Sequence, residues 1–206
     1  AFDHIRHFLN ATKRILGIRS HTLQGGLLAL EMPEREAIVT MSHVSIESTV
    51  LDRVLMDPEV HEAAKRIKDS HPNRRILVGI DSCNRLSGGV LKLAALDKLL
   101  GDYGSNSGKF VLIQCSLRPG TRKGDEETTS SDMRKMVEEL NLRYNTEGDD
   151  VVVDYQEMPH MSLSERVALY LAADVFVLTS IREGLNLMPL EYIYSRKDLD
   201  HAGVVV

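Results

Sequence analysis

Apolar positions along this chain fall into two regimes. From Phe2 to Leu16 they recur at 5, 8, 9, 15 and 16, the spacing of an amphipathic helix, and the pattern stops at Gly17. Residues 18–45 are short strand-like stretches broken by Gly25-Gly26 and Pro33, with Ile38–Met41 the best strand among them. Helical patterns at 46–55 and 58–69 follow and end at His71-Pro72-Asn73. From residue 75 apolar runs alternate with helical stretches. The runs at 75–81, 109–115, 151–155, 174–179 and 203–206 predict strands. The stretches at 90–100, 128–144, 162–172 and 187–195 predict helices. Ser131 is a candidate N-cap for the second of these, and Ser162 with Glu165 has capping-box spacing in the third.

Strand–helix alternation over 75–206 implies an α/β fold with a Rossmann-like, doubly wound parallel sheet. The chain opens inside a helical pattern and closes on an apolar strand, which reads as part of a longer protein. Residues 105–108 and 119–131 are polar enough to be mobile loops.

Composition narrows the function only by exclusion. Of 206 residues 43% are hydrophobic and 27% charged, as in ordinary globular proteins. A net charge of -5 offers no basic field for nucleic acid or an anionic membrane, and no apolar run approaches the ~20 residues that span a bilayer. Cys83 and Cys115 lack metal-ligand spacing and read as reduced intracellular thiols. His4 and His7 lie one turn apart without further ligands, so no metal is expected.

The chemistry concentrates at 181–193. An apolar strand runs into the acid–glycine loop Arg182-Glu183-Gly184-Leu185-Asn186-Leu187, and the loop opens a helix. Free backbone N–H groups and the positive helix end suit a phosphate there. Glu183 in the loop and Glu191, two turns into the predicted helix, are carboxylates suited to hydroxyl groups, so the pair suggests a nucleotide sugar. A more ordinary role for Glu183 is to cap the next helix, and for Glu191 to be a solvated helix acid. Asn186 and Leu187 act through their backbone, with side chains that set the turn. Gly88-Gly89 lacks the G-x-G-x-x-G spacing of a dinucleotide site, which removes nicotinamide and flavin.

These residues resemble the glycosyltransferase domain of trehalose-6-phosphate synthases. Arg182–Leu187 followed by Glu191-Tyr192-Ile193 is similar to that family's R-D/E-G-M-N-L…E-Y-I/V signature. Ser162–Arg166 with Tyr170 is similar to its preceding helix, and Arg6-His7-Phe8-Leu9 with Arg14–Gly17 to an earlier one. The resemblance implies a GT-B architecture, two Rossmann-like domains with the active site between them. Residues 1–45 would be the tail of the N-terminal acceptor-side domain, 46–73 a helical connection, and 74–206 an incomplete C-terminal nucleotide-sugar-binding domain.

The implied activity is cytoplasmic and retaining: glucose passes from UDP-glucose to glucose 6-phosphate, giving trehalose 6-phosphate, with no cofactor. Implied partners beyond the two substrates are a fused phosphatase domain or further copies of the chain. Glu183 is the implied catalytic candidate and donor-sugar contact. Gly184, Leu185, Asn186 and Leu187 would hold sugar and diphosphate through their amides, and Glu191 the ribose. Arg118 and Arg122 are both candidates for the acceptor phosphate, the register not choosing between them.

One stretch departs from the family. Where synthases carry V-D-R-L-D-Y-x-K-G, this chain has Ile80-Asp81-Ser82-Cys83-Asn84-Arg85-Leu86-Ser87-Gly88. Ser82 and Ser87 replace the Arg and Lys that neutralise the donor diphosphate, and Arg85 is the nearest substitute. That departure opens a second reading, a catalytically degenerate regulatory or scaffolding domain of the synthase–phosphatase type. A third is a transferase of the same architecture with another acceptor, of the glycogen or sucrose kind.

Overall fold

The computed structural model describes residues 2–42, 44–103, 108–144, 151–199, 201 and 203–206. The chain divides into two compact units, Ala1–Ser45 and Ile46–Val206. In the first, α1 (Phe2–Ala11) runs on as a π-helical turn (Thr12–Leu16), which Gly17 closes in the left-handed conformation at φ 69°. Three antiparallel strands follow, β1 (Ser20–Thr22), β2 (Leu28–Glu31) and β3 (Glu36–Val39). Gly25 and Gly26, at φ 86° and 81°, turn the chain between the first two. The best strand expected at 38–41 lies two residues earlier, because Val39 pairs with Leu28 and Glu36 with Glu31.

The second unit begins with α2 (Ser48–Leu55) and α3 (Pro58–Asp69). Asp57 caps α3 by accepting from the Glu59 N–H at 3.0 Å, and Pro58 occupies the first turn, where no N–H is needed. The rest alternates: β4 (Arg75–Ser82), α4 (Gly89–Asp102), β5 (Phe110–Leu117), α5 (Lys123–Tyr144), β6 (Val153–Met158), α6 (Leu163–Ala172), β7 (Val175–Phe176), α7 (Met188–Ser195) and β8 (Val204–Val205). All five strands are parallel, in the order β6-β5-β4-β7-β8.

Both faces of this sheet are covered, which explains the continuous apolar runs. Ile76, Val78, Ile80, Val111 and Ile113 pack with Val60 and Ala64 of α3 and Val167 and Leu171 of α6. On the other face Leu112 and Val153 meet Leu93, Leu96 and Leu100 of α4 and Met133 and Leu140 of α5. The period of two in β4 sends Gly79 and Asp81 to that second face, against α4. There Lys92 Nζ lies 2.5 Å from Asp81 Oδ2, and Gln114 Nε2 donates to the same oxygen at 2.9 Å. All three residues are buried. A side chain at 79 would overlap Gln114 Oε1 and the Lys92 ammonium, so any larger residue must displace the ends of these two side chains.

The largest departure from the sequence pattern is α5. It starts at Lys123, not at 128, so Ser131 lies inside it and caps nothing. Glu126 supplies the reason. Its buried carboxylate accepts from the N–H groups of Gly120 (3.0 Å) and Arg122 (3.1 Å), which organises the chain ahead of the helix. Most of the stretch expected as a mobile loop at 119–131 is therefore helix. Of the other such stretch, 105–107 lies outside the described residues. β7 is shorter than the expected 174–179, yet its hydrogen bonding continues through Val177 N–H to Val78 O (2.8 Å) and Leu178 N–H to Val206 O (2.6 Å). The Ser162–Glu165 capping box is present. Cys83 and Cys115 are free and buried, and burial first of all pushes their thiols up to about 11 and about 12. Among the described residues no helix is long and apolar enough to cross a membrane.

Candidate functional site

The strand order fixes where a ligand fits. β4 connects through α4 to β5 on one side, whereas β7 flanks β4 on the other. Crossovers leave in opposite directions at β4 and β7, so a crevice opens outside their carboxyl ends. The loops after these two strands, 82–88 and 177–187, form its rim.

The two loops are zipped together. The Ile181 N–H donates to Leu86 O at 2.8 Å, and the Arg182 N–H approaches the same oxygen at 3.4 Å. Thr179 Oγ1 donates to Gly88 O at 3.1 Å. Gly88 has φ 73°, and a Cβ there would overlap the Thr179 carbonyl oxygen. Glycine at 88 is thus dictated by both backbone angle and close approach. A 3-10 turn, Arg85–Ser87, precedes it, capped by Asn84, whose Oδ1 accepts from Ser87 N–H (3.1 Å) and Ser87 Oγ (3.2 Å). Ser82 is exposed at the end of β4.

On the other lip Asn186 sets the turn. Its Oδ1 accepts from Met188 N–H at 2.9 Å, and its Nδ2 donates to Glu183 at 3.0 Å. The N-cap position of the following helix is Leu187, with no side-chain cap, so Glu183 does not cap it and stays exposed in the loop with Gly184 and Leu185. α7 starts at Met188, with Pro189 in its first turn. Glu191 therefore lies in that first turn rather than two turns in. It is not a solvated acid: its side chain is 15% exposed and takes Arg166 Nε on Oε2 at 2.9 Å and Arg166 Nη2 on Oε1 at 3.3 Å. Tyr170 OH adds a third bond to Oε2 at 3.2 Å.

The cationic candidates separate. Arg85 is exposed on the rim, 3.7 Å from Asp125. Arg118 follows β5 and is committed to Glu157, at 3.0 Å. Arg122 is exposed, and its backbone serves Glu126. Glu157, at the carboxyl end of β6, gathers several side chains without any mark in the sequence. It also accepts from Ser130 Oγ (2.5 Å), Tyr155 OH (2.8 Å) and Arg134 (2.6 and 3.0 Å). Burial alone would raise its carboxyl, but these donors, Arg134 foremost, hold it down at about 2. Its partners are up to 39 residues away, so no local spacing marks it. Arg166 and Tyr170 were visible only as part of a motif, with no role attached. Among the described residues no group of three or more His, Cys, Asp or Glu could hold a metal ion.

Five parallel strands in this order, with a glycine-lined rim at the switch point, define a Rossmann-like α/β domain that holds its ligand between the loops after β4 and β7. The chain belongs to glycosyltransferase family 20, which it matches over residues 1–206. It is 30% identical over 196 residues to the UDP-forming alpha,alpha-trehalose-phosphate synthase 5 of Arabidopsis thaliana. That match covers 95% of this chain and 22% of the plant protein's length. A UDP-forming alpha,alpha-trehalose-phosphate synthase from Burkholderia xenovorans, solved in complex with glucose-6-phosphate, has a TM-score of 0.79 at 18% identity, covering 98% of this chain and 44% of that one. The N-terminal domain of Candida albicans trehalose-6-phosphate phosphatase has a TM-score of 0.77 at 22% identity, covering 97% and 41%. At these identities the two structures establish the fold alone.

Proposed function

We propose that this chain is the nucleotide-sugar-binding part of a trehalose-6-phosphate synthase, with UDP-glucose as donor and glucose 6-phosphate as acceptor of the whole protein. The observation that carries the reading is the zipped rim between β4 and β7, which sets the acid–glycine loop and the Gly88 turn side by side at the switch point. Glu183 is exposed and oriented by Asn186 for the donor sugar. Backbone amides from Gly184 to Leu187 serve the diphosphate, and Glu191 a ribose hydroxyl. Transfer in this class rests on positioning and on stabilising the departing diphosphate. In this chain the positive charge for that task comes from Arg85 and Arg182, whose backbones flank Leu86 from the two loops.

Calorimetry with the chain tests the donor assignment. Glu183→Ala is expected to weaken UDP-glucose about tenfold, or ~1.4 kcal/mol, and to leave UDP unchanged. Equal effects on both ligands would remove Glu183 from the sugar.

Ser82 and Ser87 favour one further reading, a domain that binds its ligand without turnover. Loss of one electrostatic contact to a developing anion typically costs ~2.7–4 kcal/mol of barrier, and two are replaced here. Ser82→Arg with Ser87→Lys should then strengthen UDP binding, and an unchanged affinity would count against this explanation.

A further inference from the structure

Arg166 stands in the first turn of α6 and Glu191 in the first turn of α7, 25 residues apart. Their contact is a fork on a carboxylate, with side chains only 21% and 15% exposed. Tyr170, one turn along α6, adds its hydroxyl to the same carboxylate. The Tyr170 ring cannot shift to other partners. It is fully buried, edge-on to Phe176 at 5.4 Å and to Tyr192 at 5.8 Å between ring centres.

The arithmetic of lone pairs gives this cluster a meaning. A carboxylate offers about four acceptor positions. Oε2 takes two donors and Oε1 takes one. One acceptor position remains, and it is on Oε1. A glutamate on a helix surface, by contrast, would sample several rotamers and accept from any direction.

We infer that Arg166 is a positioning residue that, with Tyr170, locks Glu191 into one rotamer with a single open acceptor, so that this site selects a nucleotide with ribose hydroxyls over one that lacks them. The inference rests on the proposed contact between Glu191 and a ribose hydroxyl. A planar, bidentate guanidinium is what the lock requires. Lysine would keep the charge and lose the geometry.

The test compares UDP with 2′,3′-dideoxyuridine diphosphate by calorimetry on the chain, its Glu191→Gln variant, and Arg166→Met and Arg166→Lys. The unaltered chain is expected to prefer UDP at least tenfold, and Glu191→Gln to abolish the preference. Both Arg166 variants are expected to lose most of the preference through UDP alone, with dideoxy binding unchanged. No preference in the unaltered chain would defeat the ribose reading and this inference with it. A preference that Glu191→Gln removes but Arg166→Lys retains would overturn the lock and leave the ribose reading standing. An equal loss of both ligands in the Arg166 variants would make Arg166 merely structural and also overturn the lock. Should Arg166→Met fail to fold by circular dichroism, Arg166→Lys decides.

Discussion

Lys92→Met should destabilise the second unit by about 3–5 kcal/mol, because it leaves Asp81 buried with its charge unpaired. The Lys92 ammonium is 3% exposed and the Asp81 carboxylate 5%, so water cannot take over the lost contact. Gln114 continues to donate to Asp81 Oδ2, yet one amide does not replace an ammonium at 2.5 Å. The damage should reach the candidate site, since Asp81 is followed directly by Ser82 and the rim loop. Asp81→Asn combined with Lys92→Met removes both charges together and should recover more than half of the lost stability. Urea unfolding of the parent and these two variants measures this. A loss below about 1 kcal/mol for Lys92→Met would show that the pair is balanced by something other than their mutual attraction.

Glu157→Gln should cost about 1–2 kcal/mol near neutral pH and flatten the acid limb of the stability profile. In the folded chain the carboxyl of Glu157 is held at about 2 by Arg134, Ser130, Tyr155 and Arg118 against the opposing effect of burial, compared with an ordinary 4.5. The folded value is the lower one. The stabilisation is therefore complete above pH 4.5 and is lost as the pH falls from there towards 2. The figure of 1–2 kcal/mol is below what the full shift implies, because Arg134 is largely in water and its contribution is screened. Thermal unfolding between pH 2 and pH 7 checks it. If the parent and Glu157→Gln lose stability in parallel through that window, the acid response belongs to other carboxylates.

How much of this was legible beforehand depends on range. The alternation of strands and helices, the capping box at Ser162 and the glycine stop at 17 are local patterns, and the structure keeps them. The start of α5 was not legible. Thr128-Thr129-Ser130-Ser131 looks like a polar boundary, but Thr129 and Ser130 are buried, and Ser130 is spent on Glu157. Propensity gave way there to a tertiary contact. At the site the order was similar. Asn186 as a turn-setter follows from its neighbours alone. Glu191 looked like an isolated acid, because its partners Arg166 and Tyr170 stand 25 and 21 residues earlier. Their identities could be read, but that α6 and α7 bring them to one point could not.

The zip between Leu86, Gly88, Thr179 and Ile181 has a kinetic consequence. Both lips of the crevice are held by the protein's own hydrogen bonds before any ligand arrives. A molecule entering it does not have to wait for a loop to fold, nor give up free energy to order one. Its observed association rate should rise in direct proportion to ligand concentration, without the plateau that a slow closure step would impose.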